Sequence, residues 1–157
     1  MIRNMKPFGL LLAIFGLILP AHSEDRQPFT VEQAIQIGNG LSQLDGYDDC
    51  RDGEKGKDCH HLYKFNGSLR LTIALDLAEY RRIAAAYSVV RQALIVQYSN
   101  SSGNVTSDQI AAFNTEDRRV LDSLSDVKYG RIKRDDLKIE DNPIPASVLS
   151  LILPIVD

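Results

Sequence analysis

The residues of this chain best suited to chemistry are crowded into one short stretch, DDCRDGEKGKDCHH, residues 48 to 61. It holds both cysteines, Cys50 and Cys59, together with Asp48, Asp49, Asp52, Glu54, Asp58, His60 and His61. Such a set is open to a disulfide, a metal site or a reactive dithiol. A helix-loop-helix calcium loop needs oxygen ligands at positions 1, 3 and 5, Gly at 6 and Glu at 12. Counted from Asp48, position 3 is Cys50 and position 12 is Cys59, so that frame fails. Zinc would draw on His60, His61 and an aspartate such as Asp58, yet adjacent residues of an extended chain point to opposite faces. Oxidoreductase dithiols have two residues between their sulfurs, and here there are eight. The expectation is a solvated acidic loop closed by a disulfide between Cys50 and Cys59, with no metal, cofactor or catalytic residue assigned.

The disulfide depends on where the chain resides. Residues 1 to 23, MIRNMKPFGLLLAIFGLILPAHS, place Arg3 and Lys6 before an apolar run from Phe8 to Leu19, followed by Pro20 and the small-residue pattern Ala21-His22-Ser23. This is the three-part layout of a secretory signal peptide, with cleavage expected after Ser23. The apolar run is too short for a membrane span, which takes about 20 residues. An exported chain meets an oxidising compartment, periplasmic or extracellular, where paired cysteines are the rule. Closing a loop of this length stabilises a fold by about 2.5 to 3 kcal/mol on the chain-entropy account.

Without Arg3 and Lys6, the 18 basic residues fall to 16 against 21 acidic ones, a net charge of -5. That balance argues against nucleic acid as a partner, because phosphate binding is driven by clustered cations. Residues 24 to 157 suit a single domain, and no linker or repeat divides them.

The elements follow from periodicity and punctuation. Thr30 with Gln33 has capping-box spacing, Phe29 can staple the entry, and Val31, Ala34, Ile35, Leu41 and Leu44 mark a helix over 31 to 44 that Gly38 and Gly40 weaken. From Ser68 to Tyr98 there is neither Pro nor Gly, and Leu69, Ile73, Leu77, Tyr80, Ala84, Tyr87, Val90 and Leu94 recur at helical spacing. Arg70, Asp76, Glu79, Arg82 and Arg91 are read as the solvated side of this long helix. A polar turn over 99 to 104 and a second capping-box spacing, Thr106 with Gln109, lead to a helix over 107 to 124 whose inward stripe is Ile110, Ala111, Phe113, Val120, Leu121 and Leu124. Two helices joined by a short loop pack antiparallel. The alternating segments around Val127 and Tyr129 and over 61 to 65 are expected to form a small two-stranded sheet. Pro145 opens a C-terminal helix with Val148, Leu149 and Ile152 on its apolar face. The expected fold is mainly α: an antiparallel helical hairpin with an N-terminal helix, a C-terminal helix and this small sheet.

In the order of these features the chain resembles a loose group of small phage and prophage proteins. The matching residues are Lys64-Phe65, Leu69-Arg70, Ile73-Ala74, Arg91, Ala93-Leu94, Phe113 and Leu149 to Ile155, and they span about residues 30 to 156. The resemblance implies a helical fold and a phage-related origin, and it brings no reaction or ligand with it. A signal peptide and a cysteine-closed loop depart from that pattern.

Other constellations reduce to structure. There is no Gly-x-Ser-x-Gly elbow, and Gly38-Asn39-Gly40 lies within a predicted helix instead of following a strand. The carboxylate pairs Asp48-Asp49, Glu116-Asp117 and Asp135-Asp136 lie in polar stretches, and the cationic run Arg131 to Arg134 meets Asp135-Asp136 at once. Tyr80 and Tyr87 share one side of the long helix, where core packing with the hydroxyls at the edge accounts for them. The expected function is that of an exported, non-enzymatic interaction protein with an unknown protein partner, docking through the acidic loop, the C-terminal helix or both. The alternative is a small metal-dependent hydrolase centred on residues 48 to 61, with Asp58, His60 and His61 at its heart.

Overall fold

The computed structural model describes residues 28–48, 60–61 and 63–157. Helix α1, Val31–Leu44, begins at Thr30, whose hydroxyl accepts the Gln33 N–H at 3.1 Å while the Gln33 side chain accepts the Thr30 N–H at 3.0 Å. This reciprocal box satisfies two of the amide donors that a helix start leaves open. Helix α2, Gly67–Tyr98, is capped by Asn66, whose side-chain oxygen takes the Leu69 N–H at 2.8 Å. At 1.5 Å per residue, α2 is about 48 Å long. Helix α3, Ile110–Asp122, and helix α4, Ala146–Ile152, complete the mainly α architecture.

The expected boundaries of α1 and α2 match to within a residue, whereas α3 starts later than the capping-box spacing predicts. Gln109 caps α3 without a side-chain bond. The Thr106 hydroxyl is engaged by Asp108, which holds that carboxyl below its ordinary range, and residues 106 to 109 close a turn instead. Between α2 and α3 the chain reverses around Asn100, whose side chain accepts the Ser102 and Asn104 N–H groups at 2.9 and 3.2 Å. Gly103 sits there at φ 79°, a left-handed conformation that glycine adopts without steric cost.

The core lies where α1 crosses α2 and α4. Ala34, Ile37, Leu41 and Leu44 of α1 are buried against Leu69, Ile73 and Leu77 of α2 and against Val148 and Ile152 of α4. The two glycines of α1 stand at these crossings. A Cβ on Gly38 would lie 2.0 Å from Tyr80 Cδ2 and 2.2 Å from its Cγ, and one on Gly40 would lie 2.8 Å from Ile152 Cγ2 and 2.9 Å from Leu151 Cβ. The residues that weaken α1 as an isolated helix are therefore those that let its neighbours approach. The C-terminal tail belongs to this core, since Ile155 is buried with Ile152, and the N–H of Asp157 donates to Ile132 O at 2.9 Å.

Among the described residues, the sheet expected between residues 61–65 and the segment around Val127 and Tyr129 is not formed. Instead β1, Tyr47–Asp48, pairs antiparallel with β2, His60–His61, with Asp48 opposite His60. Val127 and Tyr129 are buried as their alternation predicts, but the donors that a strand would offer go elsewhere. The Gly130 N–H is taken by the Asp76 carboxylate at 2.9 Å and the Ile132 N–H by Ile155 O at 2.9 Å. On the other segment, the Lys64 N–H goes to the side-chain oxygen of buried Asn142 at 2.8 Å. Two buried polar side chains thus meet the backbone demands that the missing ladder would have met.

Candidate functional site

Helix α3 returns along the outer half of α2. Tyr98 meets the Phe113 ring edge-on at 6.3 Å, the Arg91 guanidinium lies 5.7 Å from the same ring, and the Tyr87 hydroxyl donates to Asp117 Oδ1 at 3.0 Å. Burial first, and then the Asp117 carboxylate, push the Tyr87 phenol above its ordinary pKa. Nearer the core the Tyr80 hydroxyl donates to Asn39 Oδ1 at 2.7 Å. Both tyrosines therefore pack with their hydroxyls bonded at the edge, as their spacing predicts. Arg82 reaches Glu79 at 3.1 Å and Asp126 at 2.8 Å. The contacts of Tyr80, Tyr87, Arg91 and Tyr98 lie on the side of α2 that faces the rest of the chain.

Among the described residues the opposite side of α2 is largely apolar and, apart from the Arg82–Asp126 pair, uncovered. Leu71 and Leu75 are each 61% exposed, Val89 71% and Val96 69%. Ala78, Ala85, Ala86 and Ala93 lie among them, all exposed. From Ile83 to Tyr98, 16 residues carry a single charge, Arg91, which is turned toward Phe113 and Asp117. A surface helix keeps charged residues on the face away from the core, so α2 departs from that pattern along half its length. Ile110 of α3 and Leu124, expected to point inward, are also exposed, at 49% and 68%. Leu124 lies beyond the end of α3, where the chain bridges back to Thr30.

Asp76 corrects the reading of α2's polar side. It is only 4% exposed, placed seven residues from Leu69 and seven from Ile83 and hence on the buried stripe. Its Oδ1 accepts the Gly130 N–H, and its Oδ2 is buried without a hydrogen-bond partner among the described residues. Burial raises its pKa, partly offset by the Gly130 bond, and the Glu79 charge adds to the rise. Next to it Tyr129 donates to Ala34 O at 2.6 Å, its phenol pushed up chiefly by burial and also by the Asp76 charge. A Cβ on Gly130 would lie 2.8 Å from Thr72 Cγ2, so this carboxylate stands in packed structure. It serves as a polar pin between α2 and the extended segment.

Of the residues singled out for chemistry, only Asp48, His60 and His61 are among the described residues. Asp48, His60 and His61 lie in the β1–β2 ladder, while Cys50, Cys59, Asp49, Asp52, Glu54 and Asp58 fall outside the described residues. Among the described residues no group of three or more His, Cys, Asp or Glu is placed to hold a metal ion, and no helix is long and apolar enough to cross a membrane. Arg131 pairs with Asp157 and Pro154 O, and Asp136 Oδ1 accepts from Asn66. The C-terminal helix buries Val148 and Ile152 in the core, while Leu153 just beyond it is 68% exposed. The uncovered face of α2, which those expectations passed over, is the strongest candidate surface. No protein family, curated protein or solved structure matches the chain.

Proposed function

We propose that this chain is an exported, non-enzymatic interaction protein that docks through the outer face of α2. The observation that carries the reading is the run of Leu71, Leu75, Val89 and Val96 on the helix face away from the core, each more than 60% exposed. Burying such a stripe against a partner recovers about 25 cal/mol per Å² of apolar surface, and contiguous exposed apolar patches mark interaction sites. Export rests on the leader pattern of residues 1 to 23, with periplasmic or extracellular release as its consequence. The disulfide between Cys50 and Cys59 is supported by the pairing of Asp48 with His60, which holds the two chain ends flanking that loop one strand spacing apart. A phage-related origin rests on the apolar spacing alone.

Expression of the full chain with its leader in a bacterium tests the export part. The product is expected to begin at Glu24 and to weigh two hydrogens less than its reduced form. An intact Met1 with two free thiols overturns it. For the docking part, a photoreactive side chain at Val89 is expected to crosslink to a discrete protein in the cell, while the same group at exposed Ser147 is not. Absence of any crosslink at Val89 overturns docking through α2.

A further inference from the structure

Along α2 the core ends at Ile83, the last buried residue of that helix. Beyond it, from Ala84 to Leu124, Phe113 is the single buried side chain. The outer half of α2, residues 84 to 98, and the whole of α3 therefore form a two-helix arm with almost no core of its own. We infer that this arm opens as one unit, α3 parting from α2 and the outer half of α2 losing its helix, while α1, the inner half of α2 and α4 stay closed.

The outer half of α2 is a weak helix by composition. Val89, Val90, Ile95 and Val96 are β-branched and lose side-chain freedom in a helix. With Arg91 as its single charge, it has no pair of opposite charges one turn apart to support it. A free segment of about 15 residues is marginal even when built of good helix formers, so this half stays helical because α3 lies against it. The hold is slight: Phe113 against Tyr98 and Arg91 at 6.3 and 5.7 Å, and Asp117 with the Tyr87 hydroxyl at 3.0 Å and the Arg91 guanidinium at 3.8 Å. Ion pairs this close to solvent stabilise little, and segments with few buried apolar contacts open at a lower free energy than the core. Each helix of the arm loses its support when the other leaves, which couples the two. The base of the arm is fixed differently. There the Val31 N–H donates to Ser123 O at 2.9 Å, the Ser125 N–H to Phe29 O at 2.8 Å, and Arg118 bonds both Glu32 oxygens at 3.2 and 2.9 Å. These contacts put the hinge at the end of α3 and keep the opened arm tied to α1. Opening bares Tyr87, Tyr98 and Phe113 beside Val89 and Val96, so this equilibrium sets how much apolar surface α2 presents, whether or not a partner docks there.

Hydrogen exchange of the protein secreted from its full chain, resolved by peptide mass spectrometry, tests this. Amides of residues 87 to 98 and 110 to 122 are expected to share one protection factor, about tenfold or more below that of residues 35 to 44 and 71 to 83. Equal protection over 87 to 98 and 71 to 83 overturns the inference, since α2 would then open as a single body. Unequal protection of 87 to 98 and 110 to 122 overturns it as well, because the two helices would then fray separately. Phe113→Ala is expected to speed exchange in both arm segments by one common factor, about tenfold or more, and to leave residues 35 to 44 and 71 to 83 as in the parent. A variant that speeds all four segments alike, or none of them, overturns the arm as a separate unit.

Discussion

The Asp76 carboxylate and the Gly130 amide are 54 residues apart in sequence and 2.9 Å apart in space, and their bond stands where a strand pairing was expected. One carboxylate oxygen is satisfied and the other is buried without a partner among the described residues. Burial disfavours the charged form, so the folded protein holds the Asp76 proton more tightly than the unfolded chain does. The associated stability is fully present below the ordinary aspartate pKa of about 3.9 and is lost as pH rises through the higher folded-state value.

Asp76→Asn keeps an acceptor for Gly130 and cannot ionise. Its stability relative to the parent is expected to rise as pH increases above about 4 and then to level off. Urea midpoints measured from pH 3.5 to 8 check this, and parallel curves for the two proteins would show that the carboxylate ionises as it does in water.

Gly38→Ala opposes two effects. Alanine improves helix propensity by about 1 kcal/mol, but its Cβ would overlap the Tyr80 ring, which is tied to Asn39 through its hydroxyl. Overpacking costs about 1–3 kcal/mol, so a net loss of stability is expected in chemical denaturation. A gain would mean that α1 and α2 can move apart freely.

Asn142→Ala strands a part-buried donor and a buried acceptor together, the Lys64 N–H and the Leu137 C=O. Each such group left unpaired costs about 1–3 kcal/mol, and a loss of at least 2 kcal/mol is expected from the pair. A change below 0.5 kcal/mol in the urea-derived stability, within the range of ordinary surface substitutions, would remove Asn142 from the structural account.

Ile152→Ala separates a tail that belongs to the core from one held ready for a partner. Ile152 is fully buried at the crossing of α4 with α1, so truncation is expected to cost about 2–5 kcal/mol and to leave the Val89 crosslinking pattern intact. A variant as stable as the parent would return the C-terminal helix to the list of docking surfaces.

Much of the helical content was legible along the chain because it depends on local rules. The capping box at Thr30 and Gln33, the uninterrupted run from Ser68 to Tyr98 and the proline entry to the last helix each act within a few residues. The outer stripe of α2 follows from the same periodicity, since Leu71, Leu75, Val89 and Val96 repeat at helical spacing just as Leu69, Ile73 and Leu77 do. Two apolar stripes on one helix do not say which of them the fold will cover. Asp76 carried a signal as well, lying seven residues from both Leu69 and Ile83, but a charged residue on an apolar stripe makes sense only once its distant donor is known.

Local sequence determined where helices start, how long they run and where the chain must turn, because hydrogen bonds between near neighbours set those limits. Tertiary structure alone decided the pairings over long separations: Asp76 with Gly130, Asn142 with Lys64, Gly38 beneath the Tyr80 ring. Those partners are chosen by how the buried faces fit and by the need to satisfy every polar group shut away from water.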